Sequence, residues 1–166
     1  MHRRRHQASK VRYIGYRGDG LAALYAVQCR QFDALETSIN IADQEALDLT
    51  VPVAIQHGMG VIAKRPIANG LWKSHYRPEL VTNHAYGDRL RELQYDFVQD
   101  ERAFETALRF TLSVSGVHTA IVGTTNPAHL RRDTESAAAG ILAKDQFDAI
   151  RARWKKVARQ DWVGQT

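Results

Sequence analysis

The sequence predicts an α/β protein built on a parallel sheet. Short apolar, β-branched runs alternate with runs of helical period along the chain, and such alternation argues for parallel strands joined by crossover helices. Each apolar run also ends in a turn signal before the next helix: Arg17-Gly18-Asp19-Gly20, Asn40, Lys64-Arg65-Pro66 and Gly123-Thr124-Thr125. The chain has 166 residues, 44% hydrophobic and 25% charged, which suits one folded domain with a real core.

The elements follow in order. Residues 11–16 read as the first strand, and Asp19 is a suitable N-cap for a helix with Leu21, Leu24 and Tyr25 on its apolar face. Residues 34–39 make the second strand. Asp43 then caps a helix carrying Leu47, Val51, Ala54 and Ile55, with Pro52 inside it. Residues 59–64 form the third strand. Phe104, Ala107, Leu108 and Thr111 mark a later helix, and residues 117–122 the fourth strand. Asn126-Pro127 has the form of an N-cap followed by proline at the first helical position, opening a helix with Leu130, Ala137, Ala138 and Ile141 on its apolar side. A last helix places Phe147, Ile150, Trp154, Val157 and Ala158 on one face. The segment 71–100 is polar and long for a strand-to-helix connection, with Trp72, Tyr76, Tyr86 and Tyr95 interleaved. It reads either as a functional lid or as an insertion packed by its own aromatics.

Composition excludes several classes. No apolar run approaches the ~20 residues of a membrane helix. The basic start (residues 1–9) reads as a frayed end, with no apolar segment after it to make a secretory signal. Cys29 is the only cysteine, so neither an internal disulfide nor a cysteine-based zinc site can form, and a cytoplasmic setting fits. The seven histidines show no metal-ligand spacing, and no metal site is predicted. Net charge is +5, but the cations are spread along the chain; nucleic-acid binding would rest on charge alone.

Ligands on parallel sheets sit at the carboxyl ends of the strands. The stretch HTAIVGTTNPAHLRRD puts Gly123, Thr124, Thr125 and Asn126 at one such end, leading into a helix N-terminus. Helix dipole, free N–H groups and the nearby His129 and Arg132 suit a phosphate there, although Asn-Pro is also an ordinary helix start. Lys64 and Arg65 either face an anion or end their strand in solvent or ion pairs. Glu36 lies within a strand, where a carboxylate is costly unless a cation pairs with it.

Four stretches carry a resemblance: KVRYIGYRGDG, LETSINIADQEA, GMGVIAKRPIANG and GVHTAIVGTTNPAHLRRD. In this order they resemble the last four strands of the aldo-keto reductase family, most of all its bacterial aryl-alcohol-dehydrogenase-like branch. The resemblance implies half of a (β/α)₈ TIM barrel over residues 10–166, with an insertion at about 71–100 and a C-terminal helix. It also implies a cofactor, NADP(H) with NAD(H) as the alternative, used for hydride transfer to aldehydes or ketones. Lys64, Arg65, Pro66 and Ile67 would lie along the nicotinamide and pyrophosphate, and Gly123, Thr124, Thr125 and Asn126 would hold the 2′-phosphate and adenosine end. Arg17 stands where the family commonly has the carboxamide-binding Ser, and Glu36 where it has Gln. His129 stands where a phosphate-binding Arg is usual, and Asp133 where an Asn near the adenine is usual.

The family's catalytic Asp, Tyr, Lys and His belong to its first four strands, so the resemblance assigns this chain no catalytic residue. Two functions follow: the cofactor-binding half of a reductase, or a catalytically inactive nucleotide-binding or assembly module. Four strands leave two open sheet edges. The expected partners are a separate N-terminal half or a second copy joined through those edges.

Overall fold

The computed structural model describes residues 10–72 and 84–165. Within them lies a four-stranded sheet in the order β1 (Gly15–Arg17), β2 (Ala34–Ser38), β3 (Gly60–Lys64), β4 (Thr119–Ile121), with every neighbouring pair parallel. The register sets Arg17 beside Glu36, Glu36 beside Ile62, and Ile62 beside Thr119. Helices α1 (Gly20–Gln28), α2 (Glu45–Leu49) and α3 (Val51–Gln56) connect the first three strands. Then come α4 (His84–Leu93), α5 (Ala103–Leu112), α6 (Pro127–Ala138) and α7 (Lys144–Val157), with short 3₁₀ turns at Ala68–Gly70 and Asp96–Gln99.

Alternation along β2 and β3 explains the layering. Leu35, Val61 and Ala63 are fully buried on the helix-facing side, where they meet Ala23, Val27, Val51 and Ala54. Ala34, Glu36, Gly60 and Ile62 point to the other face and stay half-exposed. A second cluster joins α4, α5 and α7 around Tyr86, Leu90, Phe110, Ile150 and Trp154. Full burial of one such large side chain contributes about 1.5–3 kcal/mol.

Four expectations change. The helix predicted from Asp43 breaks at Thr50, because Pro52 fits only the first turn of a new helix. Asp43 does not cap it; Gln44 occupies that position and Asp43 is buried elsewhere. The expected apolar face of α1 is turned outward: Leu21 and Tyr25 are 76% and 74% exposed, while Ala23, Ala26 and Val27 meet the sheet. On α6 only Ser136 is buried, and Leu130 and the following Ile141 are exposed. Both outward faces belong to helices beside the unpaired edges, β1 and β4, where no further helix covers them among the described residues.

Of the segment 71–100, the described part is core, since Tyr86, Leu90, Leu93 and Tyr95 are buried. Tyr76 and the basic residues 1–9 lie outside the described residues. Gly116 shows why glycine precedes β4: its φ is +89°, and a Cβ there would lie 2.6 Å from Ile55 Cδ1.

Candidate functional site

The strand ends converge on one polar floor. Asp19, just past β1, is buried, and its carboxylate reaches the ends of β2 and β3. Its Oδ1 accepts from Thr37 Oγ1 at 2.8 Å and from the Ser38 N–H at 2.7 Å. Its Oδ2 stands 2.7 Å from Lys64 Nζ, with both side chains at most 5% exposed. Lys64 is therefore a buried, paired cation and not a solvent-facing one. Asp19 is the N-cap residue of α1 but makes no side-chain capping bond. Sequence reasoning took it only as a cap. The available signal was its place at a strand end next to two others that carry Thr37-Ser38 and Lys64.

Arg65 follows in a left-handed conformation, φ +55°. Such backbone costs a non-glycine residue about 1–2 kcal/mol and persists where surroundings hold it. Arg17 Nε lies 3.3 Å from Glu36 Oε1 on the open face of the sheet, which answers the partner requirement of that strand carboxylate.

Two hollows sit side by side above this floor. One, of about 430 Å³, is lined by Arg17, Glu36, Lys64, Arg65, Pro66, Ile67 and Gly123 among others. The other, about 70 Å³, is lined by Gly123, Thr124, His129, Arg132 and Asp133, with Ile67, Val122 and Phe104. Ile67, Val122 and Gly123 belong to both, so the two form one strip. Thr125 and Asn126 stay at the exposed loop and line neither.

The turn into α6 is more self-contained than its sequence suggests. Asn126 Oδ1 accepts from the Ala128 N–H at 2.9 Å, and Thr124 Oγ1 accepts from the Asn126 N–H at 3.1 Å. The His129 N–H donates to Asn126 O at 3.0 Å. The expected free N–H groups of the first turn are thus largely taken. An anion there would meet the helix dipole and the side chains of His129 and Arg132.

A second polar cluster lies deeper. Asp43 Oδ2 accepts from Tyr86 Oη at 2.9 Å and lies 3.8 Å from Arg89 Nη1. Asp43 Oδ1 and Asn40 Nδ2 are buried without a hydrogen-bond partner among the described residues. Burial pushes the Asp43 carboxyl up to about 7, against the pull of Arg89 and Tyr86. Burial likewise raises the Tyr86 hydroxyl above its ordinary value. Among the described residues no group of histidine, cysteine and carboxylate side chains is arranged to hold a metal. No helix of the described residues is long and apolar enough to cross a membrane.

The aldo/keto reductase family model matches residues 6–155. The chain belongs to the aldo/keto reductase family. Its fold agrees with that membership. The aldo-keto reductase AKR11C1 from Bacillus halodurans, in its apo form, superposes with a TM-score of 0.77 at 20% identity, over 96% of this chain and 57% of that one. The holo form of the same protein gives 0.72 at 18% identity, over 96% and 56%. The thermostable aldo-keto reductase Tm1743, in complex with the inhibitor epalrestat, gives 0.64 at 15% identity, over 91% and 52%. Among curated proteins nothing matches the chain. The chain spans a little over half the length of these reductases, and its four parallel β/α units form part of a (β/α)₈ barrel.

Proposed function

We propose that this chain is the dinucleotide-binding half of an aldo/keto reductase, with NADP(H) as the preferred cofactor and NAD(H) as the alternative, working in the cytoplasm. The observation that supports this most is the continuous strip at the strand ends. It gathers Arg17, Glu36, Lys64, Arg65, Pro66, Ile67, Gly123, Thr124, His129 and Asp133 from four separate stretches of sequence. When bound, the cofactor supplies a hydride to the carbonyl carbon of an aldehyde or ketone. In this reading Arg65 offers charge to the pyrophosphate, with Lys64 beneath it. Arg132 offers charge and His129 a ring N–H to the 2′-phosphate end, and Pro66 and Ile67 form the floor between. The proton donor and the other catalytic groups come from further strands, supplied by a chain that completes the barrel.

The donor set fits an anionic dinucleotide, with two adverse carboxylates, Glu36 and Asp133. NADPH fluorescence titration of the full chain tests the reading. Saturable binding is expected, and Thr124→Asp, which adds a carboxylate to the small hollow, weakens it by about fivefold or more, roughly 1 kcal/mol. A folded chain that binds no NADPH sinks the proposal.

The Arg17–Glu36 pair favours the second reading, an inactive nucleotide-binding or assembly module, because an ion pair stands where the resemblance expects Ser and Gln to hold the carboxamide. The double variant Arg17→Ser, Glu36→Gln removes the carboxylate and restores neutral donors. It is expected to tighten NADPH binding on the order of fivefold. Unchanged or weaker binding would show that this end of the strip does not meet the nicotinamide.

A further inference from the structure

Two cations of the strip, Lys64 and Arg65, already have a partner within the protein. Residues 162–165 run across the strand ends, and the carbonyl oxygen of Gln165 is the point on which three donors converge. Ser38 Oγ lies 3.0 Å from it, Lys64 Nζ 3.3 Å, and Arg65 Nη1 is also hydrogen-bonded to it. Two formal cations thus meet a neutral carbonyl. Asp19 balances Lys64, whereas Arg65 has no carboxylate partner among the described residues. The Ser38 hydroxyl is shared with Asp19 Oδ2 at 3.3 Å, so the two cations, Arg65 above all, are what make this a stronger site for an anionic oxygen than for an amide one. The left-handed backbone of Arg65 is held in place with its guanidinium turned into this site.

The hold on these residues is divided. Trp162 is buried, lies 5.4 Å from Trp154, and has Arg89 and Arg159 over its ring. Beyond it the attachments are polar. Val163 O accepts from Arg89 Nη2 at 2.7 Å, the Gly164 N–H donates to Glu45 Oε2 at 2.7 Å, and the Gln165 N–H to Asp43 Oδ2 at 3.3 Å. Val163 itself is exposed. Hydrogen bonds of this kind hold only modestly, since water replaces them when they break. The site also tolerates only glycine at 164: a Cβ there would lie 2.3 Å from Asp19 Cβ and 2.7 Å from Asp19 Cγ.

We infer that residues 163–165, anchored by Trp162, are a removable plug over an oxyanion site formed by Ser38, Lys64 and Arg65, and that a phosphate-bearing ligand enters by displacing them. That this ligand is a dinucleotide rests on the function proposed above; the plug itself requires only the phosphate chemistry. Release costs the amide bonds to Asp43 and Glu45 and the bond from Arg89 to Val163 O, and the phosphate regains the donors that Gln165 O gives up.

Inorganic pyrophosphate is the probe, titrated into the full chain by calorimetry while hydrogen exchange is read at individual amides. Saturating pyrophosphate is expected to speed exchange at Gly164 and Gln165 by about tenfold and to leave Trp162 unchanged. Gly164→Ala, which cannot seat against Asp19, is expected to bind pyrophosphate at least about fivefold more tightly than the natural chain. Unchanged or slowed exchange at the two amides, equal affinity in the variant, or no pyrophosphate binding overturns the plug. The exchange measurement on the natural chain decides the matter even if the variant fails to fold. NADPH run in parallel separates the two ideas. Displacement by pyrophosphate with no NADPH binding keeps the plug and ends the dinucleotide reading. NADPH binding that leaves the two amides unchanged does the opposite.

Discussion

Lys64→Ala is expected to lower the unfolding free energy by about 3–5 kcal/mol, because breaking a buried ion pair from one side leaves the other charge uncompensated. Asp19 would keep its bonds from Thr37 and Ser38 but lose the cation 2.7 Å away, with almost no solvent to replace it. The loss is read as a shift in urea midpoint at constant slope. A double variant, Asp19→Asn with Lys64→Met, removes both charges and is expected to recover most of it, since buried pairs are often replaceable by neutral residues of similar size. A single variant that loses less than about 1 kcal/mol would mean that solvent reaches the pair. The measurement therefore tests whether Asp19 is the chief hold on Lys64, which also contacts Gln165 O.

Stability is expected to fall as pH rises from 5 to 8, by about 2–3 kcal/mol relative to an Asp43→Asn variant measured alongside. The sign follows from the raised carboxyl of Asp43, near 7 in the fold against 3.8 for the ordinary group. The folded chain holds a proton in this window that the unfolded chain has released. The stabilisation is complete below about 3.8 and is lost as pH climbs through about 7. Desolvation is the dominant cause, and Arg89 at 3.8 Å only partly offsets it. Asparagine mimics the neutral form, so the two proteins should converge near pH 4 and separate steadily up to about pH 7, with a constant gap beyond it. A gap that does not change with pH would place Asp43 as an ordinary ionised partner of Arg89.

The legible parts of the sequence were those governed by local pattern. The strands at Ala34–Ser38 and Gly60–Lys64 follow from apolar runs bounded by turns, and Asn126-Pro127 opens α6 as its composition dictates. Pro52 was visible as a disturbance, but not as the first turn of a second helix. The faces of α1 and α6 were misread because periodicity shows which side of a helix is apolar and not which side meets the sheet. The site was legible as a set of strand ends, and most of its residues do line one strip. What sequence reasoning missed is long-range and polar. Asp19 contacts Lys64 across 45 positions, Asp43 contacts Tyr86 across 43, and Gln165 reaches Ser38 across 127. No local propensity records a buried carboxylate's choice among distant donors.

The open face of the sheet carries its own constraint on whatever closes over it. At the amino ends of the strands, Gly15, Ala34 and Gly60 stand side by side, and ideal Cβ positions on both glycines point at Ala34 Cβ, 3.7 and 3.8 Å away. That row fills almost no space. Barrel interiors are packed by side chains in layers drawn from all round the ring, so the bulk missing from this row has to arrive from the opposite wall. One step up, the Arg17–Glu36 pair asks for polar company instead. In the reading proposed above, a complementary set of strands would be chosen by volume at one level and by polarity at the next. A second copy of this chain, bringing the same small row, would leave a void at the bottom that a differently composed half could fill.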